Sequence, residues 1–170
     1  MTDLVICGAC GRLHSREAIE LTFRLPDVVY ELSDEERTQR CNMGTDLCVL
    51  DRSRFFVRGL LPLPVHGQTL PYRIGMWAEV DEQTFADIYH LWDAPNQAEC
   101  PPLPATLAND VPTVPATRGM AVTIQLTGPK TRPEFFLADS DHPLAREQSS
   151  GIEAHRALEY TQQTERSDAG

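Results

Sequence analysis

The chain has 170 residues, of which 41% are hydrophobic and 24% charged, and this length and composition predict one globular domain with a single core. Its formal net charge of -10 repels phosphate backbones, so we expect no nucleic-acid partner. The sequence contains neither a run of eighteen apolar residues nor a signal-peptide pattern, so we expect a cytoplasmic protein without a membrane partner.

The N-terminal region predicts two strands around a cysteine motif. A short apolar run from Leu4 to Ile6 stops at a Cys-x-x-Cys motif formed by Cys7 and Cys10. In residues 19–25 apolar and polar side chains alternate, which is the period of a half-buried strand. We therefore expect a strand, a cysteine knuckle and a second strand in this order.

The middle of the chain predicts a polar helix followed by an antiparallel meander. Ser33 and Glu36 form the pattern of a capping box, which predicts a short surface helix through Arg40. The next apolar runs are separated by turn-prone polar residues. The predicted strands cover residues 47–50, 55–61 and 72–80.

The clearest helical pattern lies between Asp81 and Trp92, where apolar residues recur every three to four positions. Asp81 is available as the N-cap, and Pro95 follows the predicted end. Residues 95–118 are rich in proline and show no sustained period, so they predict one long irregular loop.

The C-terminal third predicts a second hairpin, formed by residues 120–126 and 135–137. A weakly amphipathic stretch follows from Ile152 to Tyr160, and the polar residues 161–170 predict a disordered tail. The resulting fold is α+β, with a largely antiparallel sheet, one or two packed helices and an N-terminal Cys-x-x-Cys knuckle. Residues 1–160 are predicted to form the single domain.

Cys7 and Cys10 are candidate zinc ligands, because a Cys-x-x-Cys followed by glycine lets two thiolates converge on a tetrahedral ion. Spacing alone leaves the other two ligands open: His14, Cys41 and Cys48 are nearest in the chain, and His66, Cys100 and His142 are more distant. Dithiol redox chemistry is an alternative, although the strand-like pattern after Cys10 lacks the helix that such chemistry uses. Cys41 and Cys48 could also be buried as small hydrophobic residues.

Arg58 is the one charged side chain in an otherwise apolar strand. The simpler interpretation places it on a solvated face. The sharper hypothesis directs its guanidinium at a carboxylate, either Asp46 or an anionic ligand. Gly75 and Trp77 place an aromatic ring close to a residue without a side chain, a pattern typical of close packing.

His142 lies between Asp141 and Pro143. An aspartate beside a histidine can set its tautomer, and histidine titrates near neutral pH. The more common explanation is a turn in which Asp141 caps the segment that Pro143 opens. The nucleophile, phosphate-loop and zinc-protease motifs of known enzymes are absent from the sequence.

Five short strings, in this order, resemble the bacterial family called domain of unknown function 2199. They are Cys7-x-x-Cys10-Gly11 with His14, Asp46-Leu47-Cys48-Val49, Phe55-Phe56-Val57-Arg58-Gly59, Gly75-x-Trp77 and Asp141-His142-Pro143-Leu144. The resemblance covers residues 4–155 and departs from the family pattern in the proline-rich stretch 95–118. It implies Cys7, Cys10, His14 and Cys48 as the ligand set and implies no activity.

Two functional hypotheses follow. The first is a zinc-stabilised domain that binds a basic protein partner, for example as an immunity-type protein against a basic toxin. The second is a small enzyme or anion-binding protein that uses Arg58, Trp77 and His142. The second hypothesis requires Arg58 and His142 to line one pocket.

Overall fold

The computed structural model describes residues 4–6, 13–15 and 20–168. Its strands are β1 (Leu4–Ile6), β2 (Leu13–Ser15), β3 (Cys41–Met43), β4 (Leu47–Leu50), β5 (Arg54–Leu63), β6 (Tyr72–Val80), β7 (Leu103–Leu107), β8 (Ala121–Gln125) and β9 (Glu134–Leu137). Its α-helices are α1 (Asp27–Tyr30), α2 (Asp34–Arg40), α3 (Glu82–Leu91), α4 (Pro143–Ser150) and α5 (Ala154–Asp168). A 3₁₀ turn covers Gln97–Glu99.

Strands β3 to β9 form one mixed sheet in chain order, and the sheet closes into a small barrel. Consecutive strands pair antiparallel, which confirms the predicted meander and second hairpin. The closure is made by β5, which pairs with β6 along one edge and divides its other edge between two partners. The first half of that edge pairs with β4, and Leu60 then pairs in parallel with Glu134 of β9.

The alternation of side chains along β5 and β6 separates two apolar clusters. Val57, Leu61 and Met76 point into the barrel and belong to the larger cluster. Phe56 and Trp77 point outward, where they pack against apolar residues of the segment 20–32. The outward faces of β5 and β6 are therefore partly covered by the chain that precedes the sheet.

Gly59 permits the barrel to close. A β-carbon at this position would lie 2.5 Å from Cζ of Phe135 and 2.8 Å from the carbonyl oxygen of Pro133. The amide of Leu60 donates to the same Pro133 carbonyl at 2.9 Å. Because backbone and ring approach β5 so closely, any larger residue here would push β9 away from it.

Two predicted helices are confirmed together with their caps. In α2 the Ser33 hydroxyl accepts from the amide of Glu36, and the Glu36 carboxylate accepts from the amide of Ser33. In α3 the Asp81 carboxylate accepts from the amide of Thr84 at 2.7 Å.

The predicted strand over residues 19–25 is not formed by its described part, residues 20–25. Among the described residues of this stretch, Thr22 makes one parallel bridge to Gly75, on the part of the β6 edge that β7 does not reach. Only a short ladder is possible, because the chain turns into α1 directly after Pro26, which has no amide hydrogen to donate. The predicted close approach at Gly75 is confirmed, since the Thr22 side chain lies 3.0 Å from where its β-carbon would be.

The proline-rich stretch 95–118 was predicted to be one long irregular loop, but it contains regular structure. Strand β7 includes Pro104, which pairs with Thr123 of β8 beyond the part of β7 that reaches β6, so the missing amide hydrogen is not needed. The buried Asn109 fixes the next turn. Its side-chain oxygen accepts from the amide of Trp77 at 2.8 Å, and its side-chain nitrogen donates to the carbonyl of Leu25 at 2.9 Å.

The C-terminal part is more helical than its composition indicated. Pro143 begins helix α4 at a position where the sequence predicted only a turn, and His142, rather than Asp141, is its N-cap. Helix α5 continues past Tyr160 to Asp168. None of the helices in the described part of the chain is both long and apolar enough to cross a membrane.

The cysteine knuckle belongs to a stretch that the structure describes only at its edges. Strands β1 and β2 pair antiparallel, with Ile6 opposite Leu13. Cys7 and Cys10 follow β1 in the sequence and lie outside the described residues. The hairpin strands on both sides of the motif are thus present.

Replacing Gly59 with alanine should destabilise the protein by about 1–3 kcal/mol, because the added methyl group collides with Phe135 and Pro133. Urea denaturation of the purified variant would measure the change in the free energy of unfolding. Gly44→Ala is the control, since its β-carbon would meet no heavy atom closer than 3.4 Å. Equal stabilities for the two variants would contradict this account of the closure.

Candidate functional site

Two adjoining clefts lie on the outward face of β5 and β6, beside the junction with β9. The larger has a volume of about 600 Å³ and the smaller about 140 Å³. They share Leu60, Arg73 and Arg132 as lining residues, so they form two compartments of one site. We call the smaller compartment the inner cleft and the larger one the outer cleft.

Four cationic side chains line the site, in a chain whose formal net charge is -10. Arg58 comes from β5 and Arg73 from β6, and the alternation along these strands turns both outward. Lys130 and Arg132 come from the turn between β8 and β9. Lys130 is the single lysine of the chain.

Arg58 is held by contacts to β6 and to the turn that precedes β4. Its backbone amide donates to the carbonyl of Asp46 at 2.8 Å, and its Nη1 donates to the carbonyl of Thr45 at 3.4 Å. Its guanidinium carbon lies 5.9 Å from the centre of the Trp77 ring, its cross-strand neighbour, which is within cation–π range. These contacts restrict the guanidinium to one side of the inner cleft.

Carboxylates accompany the cations. Nε of Arg132 lies 3.1 Å from Oδ1 of Asp46, and Nη2 of Arg73 lies 3.6 Å from Oε1 of Glu20. Glu20 is 4% exposed and also accepts a hydrogen bond from the backbone amide of Arg73. Glu134 is the third carboxylate in the lining.

The turn that carries Lys130 is held by its own hydroxyl groups. Oγ of Thr127 lies 2.6 Å from Oγ of Thr131, and Thr127 also donates to the carbonyl of Arg132 at 2.9 Å. Both threonines line the outer cleft. Trp92, the C-cap residue of helix α3, lies on another wall of the same cleft.

The predicted ligand-binding residues do not share one cleft. Arg58 lines the inner cleft. Trp77 is fully buried and lines neither compartment. Its role is to position the Arg58 guanidinium, which lies within cation–π range of its ring. His142 also lines neither compartment: its Nδ1 accepts from the amide of Leu144 at 3.1 Å, and its Nε2 lies 3.1 Å from the carbonyl of Pro115. The neutral Nε2–H tautomer satisfies both contacts.

The predicted metal ligands are not assembled in the described part of the chain, which contains no group of three or more histidine, cysteine or acidic side chains that could hold a metal. Cys48 is fully buried in the outward apolar cluster with Phe56 and Trp77. Burial, followed by the nearby Cys41, raises the pKa of the Cys48 thiol to about 12. His14 belongs to β2, opposite Val5.

Sequence reasoning missed Arg73, Lys130, Arg132, Glu20 and Trp92. Arg73 could have been found from the β5–β6 meander, because the register puts it on the same outward face as Arg58. Lys130 and Arg132 could not have been found from the sequence, since their position beside β5 depends on the parallel pairing of β5 with β9. Such a pairing joins distant segments and leaves no local pattern.

In the folded protein at pH 8, Cys48 should resist alkylation by iodoacetamide, because a pKa of about 12 leaves only ~10⁻⁴ of the thiol as reactive thiolate. Cys100 is half-exposed and should be modified before Cys48. Mass spectrometry of digested protein would measure both, with guanidinium-unfolded protein as the control in which both react. Rapid labelling of Cys48 in the native state would contradict its burial.

Comparisons with known proteins identify a family. Neither the curated proteins nor the solved structures contain a match to this chain. The family model described as "Uncharacterized protein conserved in bacteria (DUF2199)" matches residues 6–152, and that range includes β5, β6, β9 and every lining residue of the site. Since the match spans most of the chain, the protein belongs to this bacterial family.

Proposed function

We propose that the protein binds an anionic ligand in the bacterial cytoplasm, with the anionic group in the inner cleft among Arg58, Arg73 and Arg132. The convergence of these three guanidinium groups from separate segments of an acidic chain carries the proposal. Like charges repel, so gathering them costs free energy that an anion would recover.

The chemistry of the inner cleft suits a phosphate or carboxylate group. A guanidinium presents parallel N–H donors that match two oxygen atoms of such a group. Arg58 and Arg73 are half-buried, and charge-assisted hydrogen bonds are stronger where water is partly excluded. The hydroxyl of Thr22, on the same lining, adds a neutral polar group.

The carboxylates define the competing explanation, in which the site is only a network of ion pairs that holds β5, β6 and β9 together. Four cations face three carboxylates across the two compartments, which leaves a formal charge of +1. This local excess opposes the net charge of -10 of the whole chain. The excess and the open volume favour ligand binding over a closed network.

Inorganic phosphate should bind to the wild-type protein, and Arg58→Gln should weaken binding about tenfold or more. One charge-assisted hydrogen bond contributes about 1.5–3 kcal/mol, and about 1.4 kcal/mol is a factor of ten in affinity. Lys130→Gln should weaken binding less, because Lys130 is exposed at the rim. Isothermal titration calorimetry at constant ionic strength would measure these dissociation constants.

Arg146→Gln is the matched control for that titration. It removes one positive charge from an exposed side chain that pairs with Asp141 outside both compartments. Its affinity for phosphate should equal that of the wild type. If Arg146→Gln and Arg58→Gln lose the same affinity for phosphate, the effect comes from the overall charge of the protein and not from the cleft. If the wild type does not bind phosphate, the ion-pair network remains as the explanation.

A second candidate function is a zinc-stabilised domain that binds a basic protein partner. The antiparallel pairing of β1 with β2 supports it, because Cys7 and Cys10 lie in the sequence between two strands that form a hairpin. The exposed acidic first turn of α2 offers a surface of the sign that a basic partner requires.

Protein purified without an affinity tag should contain about one zinc ion per chain, and Cys7→Ser with Cys10→Ser should lose it together with thermal stability. Cys48→Ala is the control. The apolar surroundings of Cys48 favour a site completed by other ligands, so this variant should keep its zinc. Elemental analysis and thermal melts before and after chelation would measure both effects.

Two results of this experiment are decisive. If the wild type contains no zinc and chelators do not change its melting temperature, the second candidate function is wrong. Loss of zinc from Cys48→Ala would instead restore Cys48 to the ligand set that the family resemblance implies.

A further inference from the structure

We infer that the ligand is an organic anion with a flat, apolar body, whose anionic group occupies the inner cleft and whose body lies in the outer cleft against Trp92. This inference rests on the anion-binding function proposed above. It adds a second recognition element, made by different residues.

The volumes of the two compartments carry the first step. A phosphate or carboxylate group fits a space of about 140 Å³ and would leave the outer cleft of about 600 Å³ unfilled. Clefts of the larger size are typical of sites for organic molecules. Since Arg73 and Arg132 line both compartments, one molecule can extend from one into the other.

The composition of the outer cleft carries the second step. Trp92, Leu60 and Pro129 provide the apolar part of the surface. The rest of the lining is polar or charged: Asp46, Arg73, Thr127, Lys130, Thr131, Arg132 and Glu134. Trp92 is half-buried and packs against the core. An indole fixed in this way favours a flat, apolar partner that stacks on it.

A buried side chain links the two walls of the outer cleft. Gln97 is 4% exposed, and its Nε2 donates to the carbonyl of Trp92 at 2.6 Å and to that of Leu91 at 3.0 Å. Its Oε1 accepts from the amide of Gly128 at 3.3 Å, in the turn that carries Lys130. Gln97 therefore connects the backbone at the end of helix α3 with the backbone of the basic turn, which makes the outer cleft a fixed feature of the fold.

The test compares three probes: inorganic phosphate, 1-naphthyl phosphate and 1-naphthol. In the wild type, 1-naphthyl phosphate should bind about tenfold more tightly than inorganic phosphate, as expected for one added aromatic contact. Trp92→Ala should abolish this advantage and change the affinity for inorganic phosphate less than twofold. Trp92→Phe should keep most of the advantage, because a flat ring remains.

Tyr89→Ala is the matched control, since Tyr89 is an exposed aromatic residue of the same helix that lines neither compartment. It should bind all three probes as the wild type does. Thermal melts of each variant would show whether the fold is kept. Should Trp92→Ala fail to fold, Gln97→Leu tests the same wall, because releasing the backbone of Trp92 should also reduce the advantage of 1-naphthyl phosphate.

The outcomes separate the inference from the proposed function. Equal affinities for the two phosphates would overturn the inference and leave anion binding intact. Binding of neither phosphate would overturn both. Binding of 1-naphthol as tight as that of 1-naphthyl phosphate, unchanged by Arg58→Gln, would show apolar recognition alone and would also overturn the inference.

Discussion

The parallel pairing of Leu60 in β5 with Glu134 in β9 is the contact on which the remaining architecture depends. It converts an antiparallel meander into a barrel, and it requires Gly59 because the Phe135 ring occupies the place of a side chain. It also brings the turn between β8 and β9 beside the outward face of β5 and β6. The candidate site is therefore a product of barrel closure.

The site combines two opposing tendencies. Arg58, Arg73 and Arg132 repel one another. Glu20 in the inner cleft and Asp46 in the outer cleft offset part of that repulsion. A surface ion pair contributes little to stability, whereas charges gathered in a half-buried cleft interact more strongly. This arrangement supports the proposed anion site, which would keep its own counter-charges.

Local patterns in the sequence predicted the parts of the fold that depend on neighbouring residues. The capping box of α2, the Asp81 cap of α3 and the meander are all confirmed, because each is set within a few residues. Strand β7 was missed because Pro104 and the two prolines before the strand are typical of a loop. Pro104 is tolerated because its part of β7 does not reach β6, which the sequence does not show. Arg58 was identified as a candidate from its apolar neighbours. Arg132, which lines the same inner cleft, was not identified, since only the pairing of two distant strands brings it to that cleft.

The division of the β5 edge has a consequence for how the protein is made. Strands β4, β5 and β6 are consecutive and can pair as soon as they leave the ribosome, whereas β9 is synthesised much later. Pairings between distant segments form slowly because a long loop must close first. A nascent chain that ends before residue 130 thus lacks both the β5–β9 pairing and the basic turn. Any ligand of the cleft would recognise only the completed barrel, and it would stabilise that state alone.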